Sequence, residues 1–144
     1  HLMILQLSVF MQNEKGRMAE ACRTIAEAGI DIHALFVADT EQFGVLRALC
    51  DTPATAAERM QQAGWRATVT PVLGVRVNDV PGGLSALLTF LDERDVNVEY
   101  GYCVSLEDGS AVNILKTDGD KALEAVLAEA GFTIARPKDL YSID

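Results

Sequence analysis

The sequence carries one motif twice, as Gln12-Asn13-Glu14-Lys15-Gly16 and as Asn78-Asp79-Val80-Pro81-Gly82. The first copy closes at Gly29-Ile30-Asp31-Ile32 and the second at Asp95-Val96-Asn97-Val98, so equivalent residues lie 66 positions apart. Between opening and close, each copy spaces its apolar residues as one face of a helix does: Met18, Ala21, Cys22 and Ile25, then Leu84, Leu87, Leu88 and Leu91. A duplication of this length predicts two small, similar domains, and a ligand site made from both would occur twice.

Composition and charge agree with two compact modules. The chain has 144 residues, of which 49% are hydrophobic and 23% charged, as in ordinary globular proteins. Each half is near the lower size limit for a stable core, so we expect the halves to support each other. The formal net charge is −9, and residues 73–144 hold 13 of the 21 acidic side chains. Such a chain repels a phosphate backbone, so we expect no nucleic-acid partner.

Membrane, export and metal signals are also missing from the sequence. No apolar run approaches the roughly 20 residues of a membrane span, and no basic-then-apolar leader precedes the first strand. His1-Leu2 resembles a cloning remnant. The three cysteines, Cys22, Cys50 and Cys103, form no Cys-x-x-Cys pair and fall on expected core faces. We therefore expect a cytoplasmic protein without membrane contact, disulfide, metal or cofactor.

Hydrophobic periodicity predicts the order strand, helix, strand, strand, helix, strand in each half. The predicted elements are 3–11, 17–28, 30–37, 45–50, 55–63 and 65–70, then 73–77, 83–94, 96–104, 111–116, 120–130 and 132–136. This βαββαβ pattern predicts an α+β fold of two tandem ferredoxin-like domains, each an antiparallel four-stranded sheet with both helices on one face. We expect domains at 3–71 and 72–137, joined by a short connector at Pro71-Val72, and a C-terminal tail at 138–144.

These motifs resemble the ACT domain, a small regulatory module of amino-acid metabolism. Asn78-Asp79-Val80-Pro81-Gly82-Gly83-Leu84 with Asp95-Val96-Asn97-Val98 is closely similar to the family pattern. Asn13-Glu14-Lys15-Gly16-Arg17-Met18 with Gly29-Ile30-Asp31-Ile32 is similar more loosely. The resemblance covers nearly the whole chain, with no enzyme domain attached. It implies a non-catalytic protein that binds a small effector, usually an amino acid, where the first loop of one domain meets the second strand of its neighbour.

The residues that the resemblance places at the effector are those of the first loop and of the second strand. They are Asn13, Glu14, Gly16, Asp31, Asp79, Gly82, Asn97 and Val98. A glycine between a strand and a helix lets backbone amides approach a ligand, and the amides of a first helical turn attract a carboxylate. Asparagine both donates and accepts hydrogen bonds, which suits a zwitterion. The alternative interpretation is structural, with glycines that make tight turns and with Asn13 and Asp79 as helix caps.

The two copies predict two different sites. One would combine Asn13 and Gly16 with Asn97, and it is neutral. The other would combine Asp79 and Gly82 with Asp31, and its two carboxylates would oppose an incoming carboxylate by on the order of 1 kcal/mol or more. We therefore favour the neutral site for an ordinary amino acid.

Other features are more simply structural. We expect the lone His33 to serve surface or packing, and Tyr100 and Tyr102 to point the same way along a half-buried face. Asp118-Gly119-Asp120 lacks the further oxygens of a calcium loop, so we expect a turn and helix cap, and Glu107-Asp108-Gly109 should be a hairpin turn.

Two further function classes stay open beside the amino-acid sensor. The fold also hosts small hydrolases and monooxygenases, but the loops show no nucleophile and base pair, and Arg17 stands near a loop only in the first copy. A purely structural, oligomerising module is the other alternative. The long apolar strand 96–104 at a predicted sheet edge favours a homodimer, and a regulated protein partner is possible for a sensor.

Overall fold

The computed structural model describes residues 3–39, 42–77, 81–119 and 121–144. The elements follow the predicted order and confirm the α+β, ferredoxin-like fold class. They are β1 (Ile4–Gln12), α1 (Arg17–Glu27), β2 (Ile32–Asp39), β3 (Phe43–Cys50), α2 (Pro53–Gln62), β4 (Arg66–Val77), α3 (Gly83–Glu93), β5 (Val98–Ser105), β6 (Ala111–Thr117), α4 (Ala122–Glu129) and β7 (Thr133–Ile134), followed by a short 3₁₀ turn at Pro137–Asp139.

The residues group into two compact units. The first unit contains Leu5–Thr70 and also the C-terminal segment Pro137–Asp144. The second unit contains residues 3–4 and Pro71–Arg136. The C-terminal segment is thus part of the unit that holds residues 5–70. The domain boundaries expected from the sequence stay a prediction.

The first unit has the strand order β2-β3-β1-β4. β1 and β3 pair antiparallel from Leu7 opposite Ala48 to Gln12 opposite Phe43, and β2 and β3 pair antiparallel with an irregularity after Ile32. The stripes of α1 and α2 pack on one face of this sheet because their apolar residues recur at helical spacing. The core they form includes Leu7, Val9, Ala21, Ile25, Leu46, Ala48, Ala56 and Met60.

The second unit repeats this arrangement with the order β4-β6-β5, and β7 pairs with β4. β4 and β6 pair antiparallel from Leu73 opposite Leu115 to Val77 opposite Ala111. α3 and α4 cover the same sheet face through Leu87, Leu91, Leu123 and Leu127, which pack with Leu73, Val75 and Leu115. The predicted edge position of β5 is confirmed, although the strand begins at Val98 rather than at 96.

The two units divide between Thr70 and Pro71, where the sequence predicted a short connector at Pro71-Val72. The connection is not a loop, because both residues lie inside the 12-residue strand β4. Proline has an extended φ but no N–H to give to a ladder, so it is tolerated where strand pairing is interrupted. The pairing of β4 with β6 begins two residues after Pro71, at Leu73. The single strand β4 therefore replaces the two strands that the sequence predicted at 65–70 and 73–77.

β1 buries two polar residues, Gln6 and Ser8, on the side opposite to Leu7. Gln6 and Ser8 have no exposed surface. The Ser8 hydroxyl accepts from Gln6 Nε2 at 3.2 Å and from Arg47 at 3.0 Å, and it lies 2.9 Å from the Thr70 hydroxyl. Since both nitrogens only donate, the Ser8 proton is directed to Thr70 Oγ1. This network satisfies the polar groups that the strand buries.

Residues 137–144 form what we name the C-terminal strap of the first unit. Leu140 and Tyr141 are buried, and the Tyr141 hydroxyl accepts from the Leu5 amide at 2.9 Å. The Ser142 amide donates to Asp51 Oδ1 at 2.7 Å, and the Ser142 carbonyl accepts from the Thr52 amide at 2.7 Å. The strap is therefore fixed by both apolar burial and hydrogen bonds.

Candidate functional site

The two glycines of the repeated motif have nearly the same backbone geometry. Gly16 has φ 86° and ψ −8°, and Gly82 has φ 92° and ψ −8°, which is the left-handed region that favours glycine. Each is the N-cap of an 11-residue helix, α1 or α3. The N-cap position of α1 is thus held by Gly16 rather than by Asn13. The first-turn amides of both helices point toward these loops, as an anion site requires.

The loop before Gly16 is held by its backbone. The Asn13 amide donates to the Gln42 carbonyl at 3.0 Å, and the Glu14 carbonyl accepts from the Arg17 amide at 3.2 Å. The side chains of Asn13 and Glu14 are exposed. A loop with a fixed backbone and solvent-facing polar side chains can bind a polar ligand without ordering itself first.

Arg17 is already engaged within the first unit. Its guanidinium lies 4.3 Å from the centre of the Trp65 ring and donates to Glu20 Oε2 at 3.0 Å. A cation on an indole face is stabilised by the ring quadrupole. These contacts explain the position of the one loop arginine that could have favoured a phosphate-handling enzyme.

In the second unit, Asp118 holds the start of β5. The Asn97 amide donates to Asp118 Oδ1 at 2.8 Å, and the Asp118 amide donates back to the Asn97 carbonyl at 3.1 Å. Val98, the next residue, pairs with Thr117. The predicted effector residues Asn97 and Val98 thus stand on a rigid backbone. Asp118 lies in a turn as expected, whereas Asp120 lies outside the described residues.

A cavity of about 250 Å³ opens beside the start of α3. It is lined by Arg76, Val77, Gly83, Ala86, Gly131, Phe132 and Thr133. The Arg76 guanidinium donates to Ser110 Oγ at 3.0 Å and lies 3.8 Å from Asp108 Oδ2. Hydrogen bonds from Ser110, together with the charge of Arg76, hold the pKa of Asp108 below its usual value. The cavity therefore joins an apolar wall, a helix start and a cation.

A second cavity, of about 230 Å³, lies beside Thr117, the partner of Val98. Its wall is mostly apolar and consists of Met3, Pro71, Val72, Leu73, Leu115, Lys116, Thr117 and Gly119. The Lys116 ammonium donates to the Thr117 carbonyl at 3.0 Å and lies 3.4 Å from Glu99 Oε2. These two cavities of the second unit are thus next to residues of the repeated motif.

The predicted site residues are divided between the units. Asn13, Glu14, Gly16 and Asp31 belong to the first unit, and Gly82, Asn97 and Val98 to the second. Asp79 lies outside the described residues. The structure brings Asn97 and Val98 together beside Asp118, and it joins the Asp31 carbonyl to the Asp51 amide at 3.0 Å. The assembly of either predicted site from both halves stays a prediction.

Sequence reasoning missed the residues that support the motif. Asp51 and Asp118 each follow the third strand of their half, and Arg76 is near the end of β4. An acidic residue directly after a strand was the available signal. His33 is exposed, in agreement with the expected surface position, and its Nε2 lies 2.8 Å from Asp51 Oδ1.

Two other expectations have clear outcomes. Tyr100 and Tyr102 are half-buried and lie opposite Lys116 and Ile114 on one face of β5, as predicted. The expectation that every cysteine lies on a core face is wrong for Cys103, which is exposed. Cys103 is on the edge strand β5, opposite Asn113 of β6, so strand pairing covers it on one side only.

Within the part of the chain that the structure describes, none of the helices is long and apolar enough to cross a membrane. The same residues contain no group of three histidine, cysteine or acidic side chains placed to hold a metal ion.

Comparisons with known proteins place this geometry in context. The family described as ACT domain pair matches residues 2–143. A solved structure of a protein from Bacteroides thetaiotaomicron is 28% identical, with a TM-score of 0.88 over 98% of this chain and 97% of that chain. The regulatory subunit of aspartate kinase from Thermus thermophilus, in its ligand-free form, is 15% identical with a TM-score of 0.63, over 90% of this chain and 94% of that chain. The corresponding subunit from Thermus flavus is 18% identical with a TM-score of 0.58, over 90% and 88%. At these identities the two Thermus subunits show the fold alone, and the search of curated proteins finds no match.

Proposed function

The chain belongs to the ACT domain-pair family, and from that premise we propose that it is a non-catalytic regulatory protein whose effector is a free amino acid. Family membership supports a regulatory, ligand-binding role, and the amino-acid effector is our proposal. The observation that carries it is the repeated junction at Gly16 and Gly82, two left-handed glycines that start helices of equal length beside polar loops. An α-carboxylate suits the first-turn amides, and an α-amine suits asparagine and carbonyl oxygens.

Of the two predicted sites, we propose the neutral one as the effector site. It would combine Asn13, Glu14 and Gly16 of one half with Asn97 and Val98 of the other. The fixed backbones of the Asn13 loop and of Asn97 support this choice, because a ligand would not have to order them on binding. The site at Asp79, Gly82 and Asp31 carries two acidic side chains, so it suits a cation or a ligand whose amine dominates.

We propose that effector binding is read through a homodimer or through a regulated protein partner. The edge strand β2 supports such an interface, because Leu35 and Val37 lie on it with 45% and 38% of their surface exposed. An apolar edge strand tends to pair with another chain. Sedimentation at micromolar concentration should give a dimer mass, whereas a clean monomer mass at all concentrations would argue against the homodimer.

The effector proposal is tested by a thermal-shift screen against the twenty common amino acids. A ligand at about a hundred times its dissociation constant adds roughly 2.7 kcal/mol to the folded state, which raises the melting temperature by several degrees for a protein of this size. One or a few hits among the twenty are the expected result. A flat screen at millimolar concentrations would contradict the amino-acid effector and leave the fold and the dimer proposal untouched.

A further inference from the structure

In both units, the residue after the third strand is bonded to the residue before the second strand. In the first unit, the Asp51 amide donates to the Asp31 carbonyl at 3.0 Å. In the second unit, the Asp118 amide donates to the Asn97 carbonyl at 3.1 Å. The backbone arrangement of the two pairs is therefore the same, and both units place an aspartate at the same point.

The two aspartate side chains have different partners. Asp118 Oδ1 turns back and accepts from the Asn97 amide at 2.8 Å. Asp51 Oδ1 instead accepts from the Ser142 amide of the C-terminal strap at 2.7 Å and lies 2.8 Å from His33 Nε2. Since the backbone bond already holds Asp51 beside Asp31, a change of side-chain rotamer is enough to bring its carboxylate to the Asp31 amide.

We propose that the C-terminal strap and the Asp31 amide compete for the Asp51 carboxylate, so that the strap is a releasable regulatory element of the first unit. With the strap docked, the Asp51 carboxylate accepts from the Ser142 amide and does not bind the Asp31 amide. With the strap released, Asp51 binds the Asp31 amide, as Asp118 binds Asn97 in the second unit. The second unit thus displays the alternative state of the first.

The end of the strap is built for release. Ser142, Ile143 and Asp144 are exposed, so hydrogen bonds rather than apolar burial hold them. Asp144 Oδ2 accepts from the Thr55 amide at 2.6 Å and so caps α2 from 89 positions away in the sequence. Exposed hydrogen bonds of this kind open locally without unfolding the domain. Leu140 and Tyr141 remain buried and keep the strap attached at its base.

The backbone conformation of Thr52 also favours release of the strap. It has φ 44° and ψ 62°, a left-handed conformation that is unfavourable for a β-branched residue. Its amide is bonded to the Ser142 carbonyl at 2.7 Å, so the strap holds the strained residue in place. Release of the strap frees the residue between Asp51 and α2 to relax.

Release of the C-terminal strap would change the hydrogen bonding of Asp31, directly before β2. Asp31 belongs to one of the two predicted effector sites, so any effect of the strap on a ligand rests on the proposed function. The competition itself goes beyond that function and is tested without a ligand.

The experiment measures amide hydrogen exchange by NMR in the full chain and in two variants. Ser142→Pro removes the N–H that binds Asp51, and deletion of residues 142–144 removes the whole end of the strap. We expect the Thr55 amide to exchange several-fold faster, because it loses Asp144, and the Asp31 amide to exchange several-fold slower, because it gains Asp51. The Asn97 amide of the second unit is the internal reference and should not change.

Two controls make the result specific. Ile143→Ala changes an exposed strap residue and should leave the Asp31 amide as it was. Asp51→Ala on the deletion background should abolish the slower exchange of Asp31. If the deletion speeds exchange at Thr55 while Asp31 keeps its original rate, the competition does not exist and the proposal is wrong. An empty amino-acid screen has no bearing on this result.

Discussion

The hydroxyl of Tyr141 accepts a hydrogen bond from the amide of Leu5 at 2.9 Å, although 136 positions separate the two residues. Burial raises the pKa of Tyr141 above its ordinary value, and the bond from Leu5 lowers it only in part, so the hydroxyl stays protonated at neutral pH. The first unit is therefore completed by the last residues of the chain rather than by residues 5–70 alone.

Tyr141→Phe is expected to destabilise the protein by about 1 kcal/mol, because the Leu5 amide loses its acceptor in a partly buried place. The free energy of unfolding from urea titration measures the effect. Ile143→Ala is the matched strap control and should change that free energy by much less, since 48% of the Ile143 surface is exposed. Equal unfolding midpoints for Tyr141→Phe and the natural chain would show that the bond contributes nothing.

Neighbouring glycines at the start of α3 should respond in opposite ways to alanine. Gly82 has φ 92°, so Gly82→Ala adds a Cβ that clashes with the backbone of its own residue and costs roughly 1–2 kcal/mol. Among the described residues beyond its two chain neighbours, no atom lies within 4 Å of that Cβ. Gly83 is the first residue of the helix, so Gly83→Ala should be neutral or stabilising. Thermal unfolding of both variants measures the difference. A smaller loss of thermal stability for Gly82→Ala than for Gly83→Ala would contradict the assignment of Gly82 as the left-handed N-cap of α3.

Hydrophobic periodicity predicted the bounds of the helices well, but it did not predict that β4 is one continuous strand. The helices expected at 17–28 and 83–94 are found at Arg17–Glu27 and Gly83–Glu93, because their apolar spacing is set within each helix. Pro71 indicated a break, yet the extended φ of proline suits a strand, so β4 continues through it.

The strap and the aspartate contacts could not be predicted for a different reason. A tail of eight residues has too little periodicity to show what it packs against, and the partners of Tyr141 and Ser142 lie 136 and 91 positions away. The repeat did predict the paired glycine junctions, since the turn geometry depends on neighbouring residues only. Side-chain partners such as His33 with Asp51 depend on strand register, which the pattern alone did not fix.

Strap docking should weaken at acid pH. Hydrogen bonds from Ser142 and His33 lower the pKa of Asp51. At Asp144, burial raises the pKa, but the hydrogen bonds from Thr55, Ala54 and its own backbone together outweigh burial, so this pKa is also lowered. A pKa that is lowered in the folded state means that the docked strap favours the ionised carboxylates of Asp51 and Asp144. The stabilisation is complete above the unfolded value of about 4 and is lost as the pH falls through the folded values. Among the charged and titratable groups around them, Cys50 and Tyr141 stay neutral in this range, and the His33 imidazole faces Asp51, with its Nε2 2.8 Å from Asp51 Oδ1.

The amide chemical shift of Thr55, followed by NMR between about pH 7 and pH 2, measures this titration. We expect a midpoint below the ordinary aspartate pKa of about 3.9. Asp144→Asn is the control and should remove most of the change at Thr55. A midpoint above the ordinary value would show that ionised Asp144 is not favoured by docking.

The final prediction distinguishes the two proposed effector sites. If the neutral site binds the amino acid found in the screen, Asn13→Ala and Asn97→Ala should each weaken binding by about 1–3 kcal/mol, because each removes a hydrogen bond to the ligand. Asp31→Ala and Asp79→Ala are the matched changes in the acidic site and should leave the affinity nearly unchanged. Isothermal titration calorimetry gives the dissociation constants.

The double variant tests whether Asn13 and Asn97 contact the same ligand. Two residues that contact one ligand do not contribute independently, so the double variant Asn13→Ala, Asn97→Ala should lose a free energy that differs from the sum of the single losses by 0.5 kcal/mol or more, a rough threshold for direct coupling. Additive losses would mean that the two residues act at separate places. If the aspartate variants abolish binding while both asparagine variants bind normally, the effector occupies the acidic site, and the assignment of the neutral site is wrong.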